Sequence, residues 1–63
     1  MKYPNFERMK GVFIHDNEHN TDYMIPKLYQ DRILTYKEFL KLVRYIKNLM
    51  SKDIREEIIY DKE

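Results

Sequence analysis

The amphipathic stretch that begins at Thr35 constrains the fold of this chain more than any other feature. Thr35 and Glu38 are spaced as in a capping box, in which each side chain bonds the backbone N–H of the other residue. No glycine or proline follows, and apolar residues recur at helical spacing. The sequence therefore predicts a helix from residue 36, whose apolar side is formed by Tyr36, Phe39, Leu40, Leu42, Val43, Ile46, Leu49 and Met50.

Two opposing patterns bear on where this helix ends. Ile54 and Ile58 extend the apolar side in steps of four, which favours continuation. Ser51 or Asp53 could instead cap a fresh helix. We favour one helix from 36 to about 60, kinked near 51–53, over two separate helices.

Strand patterns precede the helix. The β-branched and aromatic residues around Phe13 predict a strand from about 9 to 15, and residues 16–22 are turn-forming. A second strand follows and is interrupted by Pro26, which makes it an edge strand or bends it. Residues 32–34 predict a short third strand. The expected fold class is α+β, with a two- or three-stranded antiparallel sheet followed by one long C-terminal helix.

The length of 63 residues predicts a single small domain, residues 1–63. We divide it into an N-terminal arm (1–8), a sheet region (9–34), a helical region (35–60) and a frayed tail (61–63). Domains of this size often need disulfides, a metal or a partner subunit for stability. The chain has no cysteine, so a partner or a histidine and carboxylate metal site remains.

His19 lies in the turn-forming region and His15 at the end of the predicted strand before it, but their spacing does not support a metal site. His15 and His19 would converge on one ion only in a helix, which the turn residues around them disfavour. A calcium loop starting at Asp16 would need glycine at its sixth position and glutamate at its twelfth, where Thr21 and Lys27 stand. We predict a solvated hairpin loop, with no metal and no cofactor.

The apolar side of the helix is too wide for a small sheet. Counting Tyr45, it spans about 200°, against roughly 100° for packing on one surface. We favour a homodimer that covers the remainder. The alternatives are a different partner protein, or a C-terminal piece that folds back beyond Ser51 and covers the helix in a monomer. The predicted interface consists of Phe39, Leu42, Val43, Ile46, Leu49, Met50 and Ile54.

Charge and motif content limit the function classes. Lys37, Lys41, Arg44 and Lys52 form a basic face within residues 37–52 that could meet phosphates or an acidic partner. The net charge of +1 is far from that of a dedicated nucleic-acid binder. There is no nucleophile motif and no glycine-rich loop, and a chain this short is not expected to form a pocket of several hundred Å³. We therefore do not expect an enzyme.

These observations predict a small protein-interaction module, meaning an adaptor, inhibitor or regulator. It would bind a macromolecular partner through an exposed apolar helix face or a sheet edge. The alternative is a nucleic-acid-binding regulator that uses the basic helix face. No apolar run approaches the roughly 20 residues that span a bilayer, so we expect a soluble, cytoplasmic protein without membrane contact.

Overall fold

The computed structural model describes residues 3–61, and its architecture confirms the α+β prediction. Strand β1 (Met9–Asp16) is the centre of a three-stranded antiparallel sheet of order β2-β1-β5, in which β2 is Thr21–Pro26 and β5 is Ile54–Tyr60. Strand β3 (Leu28–Tyr29) pairs with β4 (Arg32–Ile33) in a separate two-stranded ribbon. Parts of the predicted arm (residues 1–2) and of the predicted tail (residues 62–63) lie outside the described residues. In chain order the elements are a 3₁₀ helix Phe6–Arg8, β1 Met9–Asp16, β2 Thr21–Pro26, β3 Leu28–Tyr29, β4 Arg32–Ile33, helix α1 Tyr36–Asn48 and β5 Ile54–Tyr60.

The start of the helix is as predicted. The Thr35 hydroxyl accepts from the Glu38 backbone N–H at 3.2 Å, and the Glu38 carboxylate accepts from the Thr35 N–H at 2.9 Å. The same carboxylate receives both guanidinium nitrogens of Arg32, at 3.0 and 2.9 Å. Hydrogen bonds from Arg32 and from the Thr35 backbone lower the pKa of Glu38 to about 2. The cap therefore ties the end of the β3–β4 ribbon to the first turn of α1.

The predicted extension of the helix to residue 60 is wrong. Helix α1 ends at Asn48, and residues 54–60 form strand β5, so the helix lies before a final strand and there is no kinked helix at 51–53. The spacing of four between Ile54 and Ile58 is also a multiple of two, so it places both side chains on one face of a strand. The segment Ile58-Ile59-Tyr60 moreover has strong β propensity.

The core lies between α1 and one face of the sheet. Val12 and Ile14 of β1 are fully buried, and β5 contributes Ile54 and Ile58, which are partly buried against the same cluster. The C-terminal segment thus folds back and covers the helix within one chain, as the monomer alternative required, but it does so as a strand. The buried hydrophobic residues are Tyr3, Met9, Val12, Ile14, Ile25, Leu34, Phe39 and Val43.

The described part of the N-terminal arm is integrated into this core. Tyr3 is 1% exposed, its ring meets that of Phe39 edge-on with centroids 5.7 Å apart, and its hydroxyl donates to Glu56 at 3.0 Å. Burial, and then the contact with the Glu56 carboxylate, raise the pKa of Tyr3 above its usual range. The arm is therefore a packed element that spans α1 and β5.

Candidate functional site

The face of the sheet opposite α1 carries a gradient from apolar to charged residues. The strand register places three cross-strand rows there. The row through Gly11 is apolar, the row through Phe13 is mixed, and the row through His15 is charged. In order these rows are Pro26-Gly11-Ile59, Met24-Phe13-Glu57 and Asp22-His15-Arg55.

The apolar end of this face continues into a groove against the β3–β4 ribbon. The concavity has a volume of about 570 Å³. Our expectation that so short a chain would not form one of this size was wrong, because the ribbon stands apart from the main sheet and adds a wall. Three of the side chains that line the groove are large and open to solvent: Ile33 is 64% exposed, Leu28 57% and Met24 49%. The apolar lining consists of Met9, Met24, Pro26, Leu28, Ile33 and Ile59.

Lys27 shapes the groove where the chain leaves β2. Its backbone N–H donates to Lys10 at 2.8 Å, and its carbonyl accepts from Leu34 at 2.8 Å, which joins the ribbon to the sheet. Its ammonium group is buried and donates to the carbonyls of Phe6 at 2.8 Å and Glu7 at 3.0 Å. The aliphatic stem can therefore line the groove while the charge is satisfied on the 3₁₀ helix. The sequence does not reveal this structural role of Lys27, because its hydrogen-bond partners are distant in the chain.

Charged residues of both signs also line the groove. Exposed Lys10 stands on one strand, and the carboxylates of Glu7 and Asp61 line the groove from the segments before β1 and after β5. An apolar floor with charges of both signs around it is the usual anatomy of a protein-binding patch.

The predicted interface residues are mostly occupied by the fold itself. Phe39 and Val43 are 0% and 1% exposed, so the prediction that they face a partner is wrong. The cover comes from within the chain, because the rings of Tyr3 and Phe6 contact Phe39, and Ile54 and Ile58 of β5 pack against the same core. Of the predicted set, Leu49 is exposed, at 69%. The partly buried members that pack against the core are Leu42, Ile46, Met50 and Ile54.

The predicted basic face is divided between two segments. Lys37, Lys41 and Arg44 are exposed on α1, whereas Lys52 lies in the connection between α1 and β5 and so does not share the helix surface. Lys47, at the margin of that face, bonds Glu56 at 2.8 Å. Three of the four residues that were predicted to contact phosphates therefore share the helix surface. The nucleic-acid alternative stays a prediction.

The histidine-containing loop is the tip of the β1–β2 hairpin, as predicted, but one of its carboxylates is buried. Asp16, at 2% exposure, accepts from the Ser51 hydroxyl at 2.6 Å and from the Ser51 N–H at 3.1 Å. It also accepts from the His19 ring at 2.9 Å and from the backbone N–H groups of Glu18 and His19. Asp16 therefore joins the hairpin tip to the α1–β5 connection.

The two histidines do not face a common ion. His15 contacts the carboxylate of Asp22 on the outer sheet face, whereas His19 contacts that of Asp16. Within residues 3–61, no group of three or more histidine, cysteine or acidic residues is placed to hold a metal. The arrangement of this loop instead supports a structural role.

We expect the Asp16 contacts to produce a stability maximum in mildly acidic solution. Hydrogen bonds from Ser51 and His19 lower the pKa of Asp16 below its usual range, and the Asp16 carboxylate raises the pKa of His19 above its usual value. The Asp16 contribution is present above its unfolded pKa of about 4 and is lost as the pH falls below that value. The His19 contribution is present below about pH 6.5 and is lost as the pH rises through the raised pKa.

Thermal unfolding from about pH 2 to 9 would test this expectation. Asp16→Asn should lower the melting temperature most between about pH 4 and 6.5 and flatten both limbs of the profile. His19→Gln should remove the alkaline limb and keep the part of the acid limb that depends on the Ser51 hydrogen bonds. A difference between wild type and Asp16→Asn that stays constant with pH would contradict the assignment.

Comparison with known proteins adds no family to this description. No protein-family model, curated protein or solved structure matches the chain. In the part of the chain that the structure describes, α1 lacks the length and apolar character needed to cross a membrane. The function is therefore argued from the groove and the sheet.

Proposed function

We propose that this chain is a small protein-interaction module that binds an amphipathic segment of another protein in the groove between the outer sheet face and the β3–β4 ribbon. The observation that carries the proposal is the contiguous set of exposed apolar side chains around a concavity of about 570 Å³. Contiguous exposed apolar surface on a small domain marks an interaction site more often than scattered apolar residues do.

The chemistry of the groove specifies the kind of segment that fits. Met24, Leu28 and Ile33 offer flexible or branched apolar contacts, so the partner should insert two or more apolar side chains. Lys10 favours an acidic residue in the segment, and Asp61 and Glu7 favour a basic one. Binding is favoured over catalysis because six of the ten lining residues are apolar and no histidine, serine or cysteine is among them.

A second apolar surface on α1 is smaller. Tyr45 and Leu49 are 62% and 69% exposed and lie one helical turn apart. These two side chains offer a partner two apolar contacts, whereas six apolar residues line the groove. These two residues therefore serve as the matched comparison for the groove. We further propose a cytoplasmic location, with which a chain lacking cysteine is compatible.

The test compares Ile33→Asp with Leu49→Asp. Both residues are apolar and well exposed, at 64% and 69%, so both variants should fold. Each chain is immobilised, exposed to host lysate, and its bound proteins are quantified by mass spectrometry and mapped by cross-linking. We expect Ile33→Asp to lose the proteins that cross-link to Lys10, with binding weakened by about tenfold or more, and Leu49→Asp to retain them. Retention by Ile33→Asp together with loss by Leu49→Asp would assign binding to α1 and refute the groove.

A further inference from the structure

The two edges of the main sheet are not equivalent. Strand β2 forms one edge and β5 the other. Pro26 interrupts the β2 edge, since proline has no N–H to donate, and β3 then turns away into the ribbon. Strand β5 runs for seven residues, Ile54–Tyr60, without proline or glycine. A regular edge of this kind is a template for pairing with another strand.

Two backbone hydrogen bonds establish which groups of β5 point outward. The N–H of Asn17 donates to the Asp53 carbonyl at 2.9 Å, and the N–H of Asp61 donates to the Arg8 carbonyl at 2.9 Å. Alternate residues of an antiparallel strand bond to the same neighbour. The odd-numbered residues from 53 to 61 therefore bond to β1, and the even-numbered residues direct their backbone groups away from it.

We propose that β5 pairs antiparallel with β5 of a second copy of this chain about a two-fold axis at Glu56, which joins two sheets into one of six strands. In this register Ile54 lies opposite Ile58 of the second copy, and Arg55 lies opposite its Glu57. Both Ile54–Ile58 pairs join outward-directed backbone groups, so each can exchange two hydrogen bonds. The inference goes beyond the proposed function, because it concerns the outward backbone edge of β5, whereas β5 contributes the Ile59 side chain to the groove.

Charge selects this register among those that the outward-facing groups allow. An axis at Glu57 would place the Glu57 side chains of the two copies directly opposite each other. An axis at Arg55 would do the same with the two Arg55 side chains. An axis at Ile58 would place Arg55 opposite Asp61, which lies beyond the end of β5, and would leave Glu57 opposite Ile59. The axis at Glu56 instead places Arg55 opposite Glu57 twice, in the position where cross-strand side chains approach most closely. Both residues are exposed in the single chain and available for this contact.

The residue on the axis carries its own charge compensation. Glu56 would meet Glu56 of the second copy on the core side of the sheet, and like charges placed directly opposite are destabilising. Its carboxylate, however, accepts from the Lys47 ammonium at 2.8 Å and from the Tyr3 hydroxyl at 3.0 Å within its own chain. Each copy therefore neutralises this carboxylate before the two meet.

The helices do not obstruct the pairing. The two-fold axis is perpendicular to the sheet, so α1 of each copy lies on the same face. Three strand spacings of about 4.8 Å separate the two β1 strands, a distance of about 14 Å. A helix with its side chains is about 10–12 Å wide. Two helices centred above their own β1 strands would fit side by side.

Sedimentation equilibrium across a concentration series tests the proposal through a charge exchange. Arg55→Glu alone and Glu57→Arg alone should each weaken the dimer by about tenfold or more, because each replaces two attractive pairs with two repulsive ones. The chain with both substitutions should regain the wild-type dissociation constant. Lys41→Glu is the control, because Lys41 is exposed on α1 and the substitution changes the charge by the same amount as Arg55→Glu. It should leave the dimer intact.

Amide exchange provides the second measurement. The N–H groups of Arg55 and Glu57 should be protected at every concentration, and those of Ile54 and Ile58 only where the dimer is populated. Three results would overturn the proposal: a wild-type chain that is monomeric at millimolar concentration, a double exchange that fails to restore a lost dimer, or a dimer in which the Ile54 and Ile58 amides are unprotected.

Discussion

Val43→Asp should abolish folding of this chain. Val43 lies on α1 at 1% exposure, packed in the core between the helix and the sheet. An aspartate there would have to bury a carboxylate without a partner, or take up a proton to avoid the charge. The penalty of about 3–5 kcal/mol for an uncompensated buried charge equals the whole stability expected of so small a domain.

Far-ultraviolet circular dichroism and a proton–nitrogen correlation spectrum would show this directly, as loss of helix signal and of chemical-shift dispersion. Tyr45→Asp is the matched control, since it places the same residue in the same helix at a position 62% exposed. It should remain folded and lose at most about 1 kcal/mol, mainly through helix propensity. A folded Val43→Asp chain would mean that this side of α1 faces outward and is covered by a second molecule.

Gly11→Ala is expected to produce the second-largest loss of stability. A Cβ at this position would lie 2.3 Å from the backbone oxygen of Ile25 and 2.9 Å from both the Met24 methyl and the Pro26 Cα. Two of these neighbours are backbone atoms, so β1 and β2 would have to separate. Overpacking costs about 1–3 kcal/mol when side chains can adjust, and here the cost should lie at the upper end.

A loss of about 3 kcal/mol should lower the melting temperature by more than about 10 °C in a domain of this size. Lys10→Ala is the control, because it truncates the neighbouring exposed residue of the same strand. Gly11→Ala should also weaken binding in the groove, since Met24 and Pro26 line it. A variant that melts within about 2 °C of the wild type would show that the strands accommodate a methyl group without cost.

The elements that sequence reasoning located correctly are those whose determinants are local. The capping box at Thr35 acts over three residues, and both of its hydrogen bonds are present. The strand prediction for residues 9–15 matches β1, and Pro26 does mark an edge strand. The third predicted strand is present at Arg32–Ile33, although it joins a separate ribbon.

The segment 54–60 forms a strand and not the predicted helix, because its sequence pattern is compatible with both structures. A repeat of four satisfies both a helix and a strand, so the spacing of Ile54 and Ile58 does not distinguish the two. Its structure depends on pairing with β1, which is distant in sequence. Tertiary context of this kind overrides local propensity.

The candidate site was not predictable for the same reason. The groove exists because Leu28 and Ile33 face each other in the ribbon while Ile59 enters from β5, and no local motif encodes that proximity. The Asp16–Ser51 contact likewise joins residues far apart in the chain. The sequence provided the residue types, and the strand register determined which of them meet.

The pairing of β5 with β1 also has a kinetic consequence. The β1–β2 hairpin and α1 form from neighbouring residues, whereas the β1–β5 ladder closes a loop that contains nearly the whole described chain. Contacts of such long range carry a large loop-closure cost and are expected to form late. We therefore expect a transition state with an ordered hairpin and helix and an undocked C-terminal strand. Substitutions at Ile58 should then accelerate unfolding and leave the refolding rate nearly unchanged.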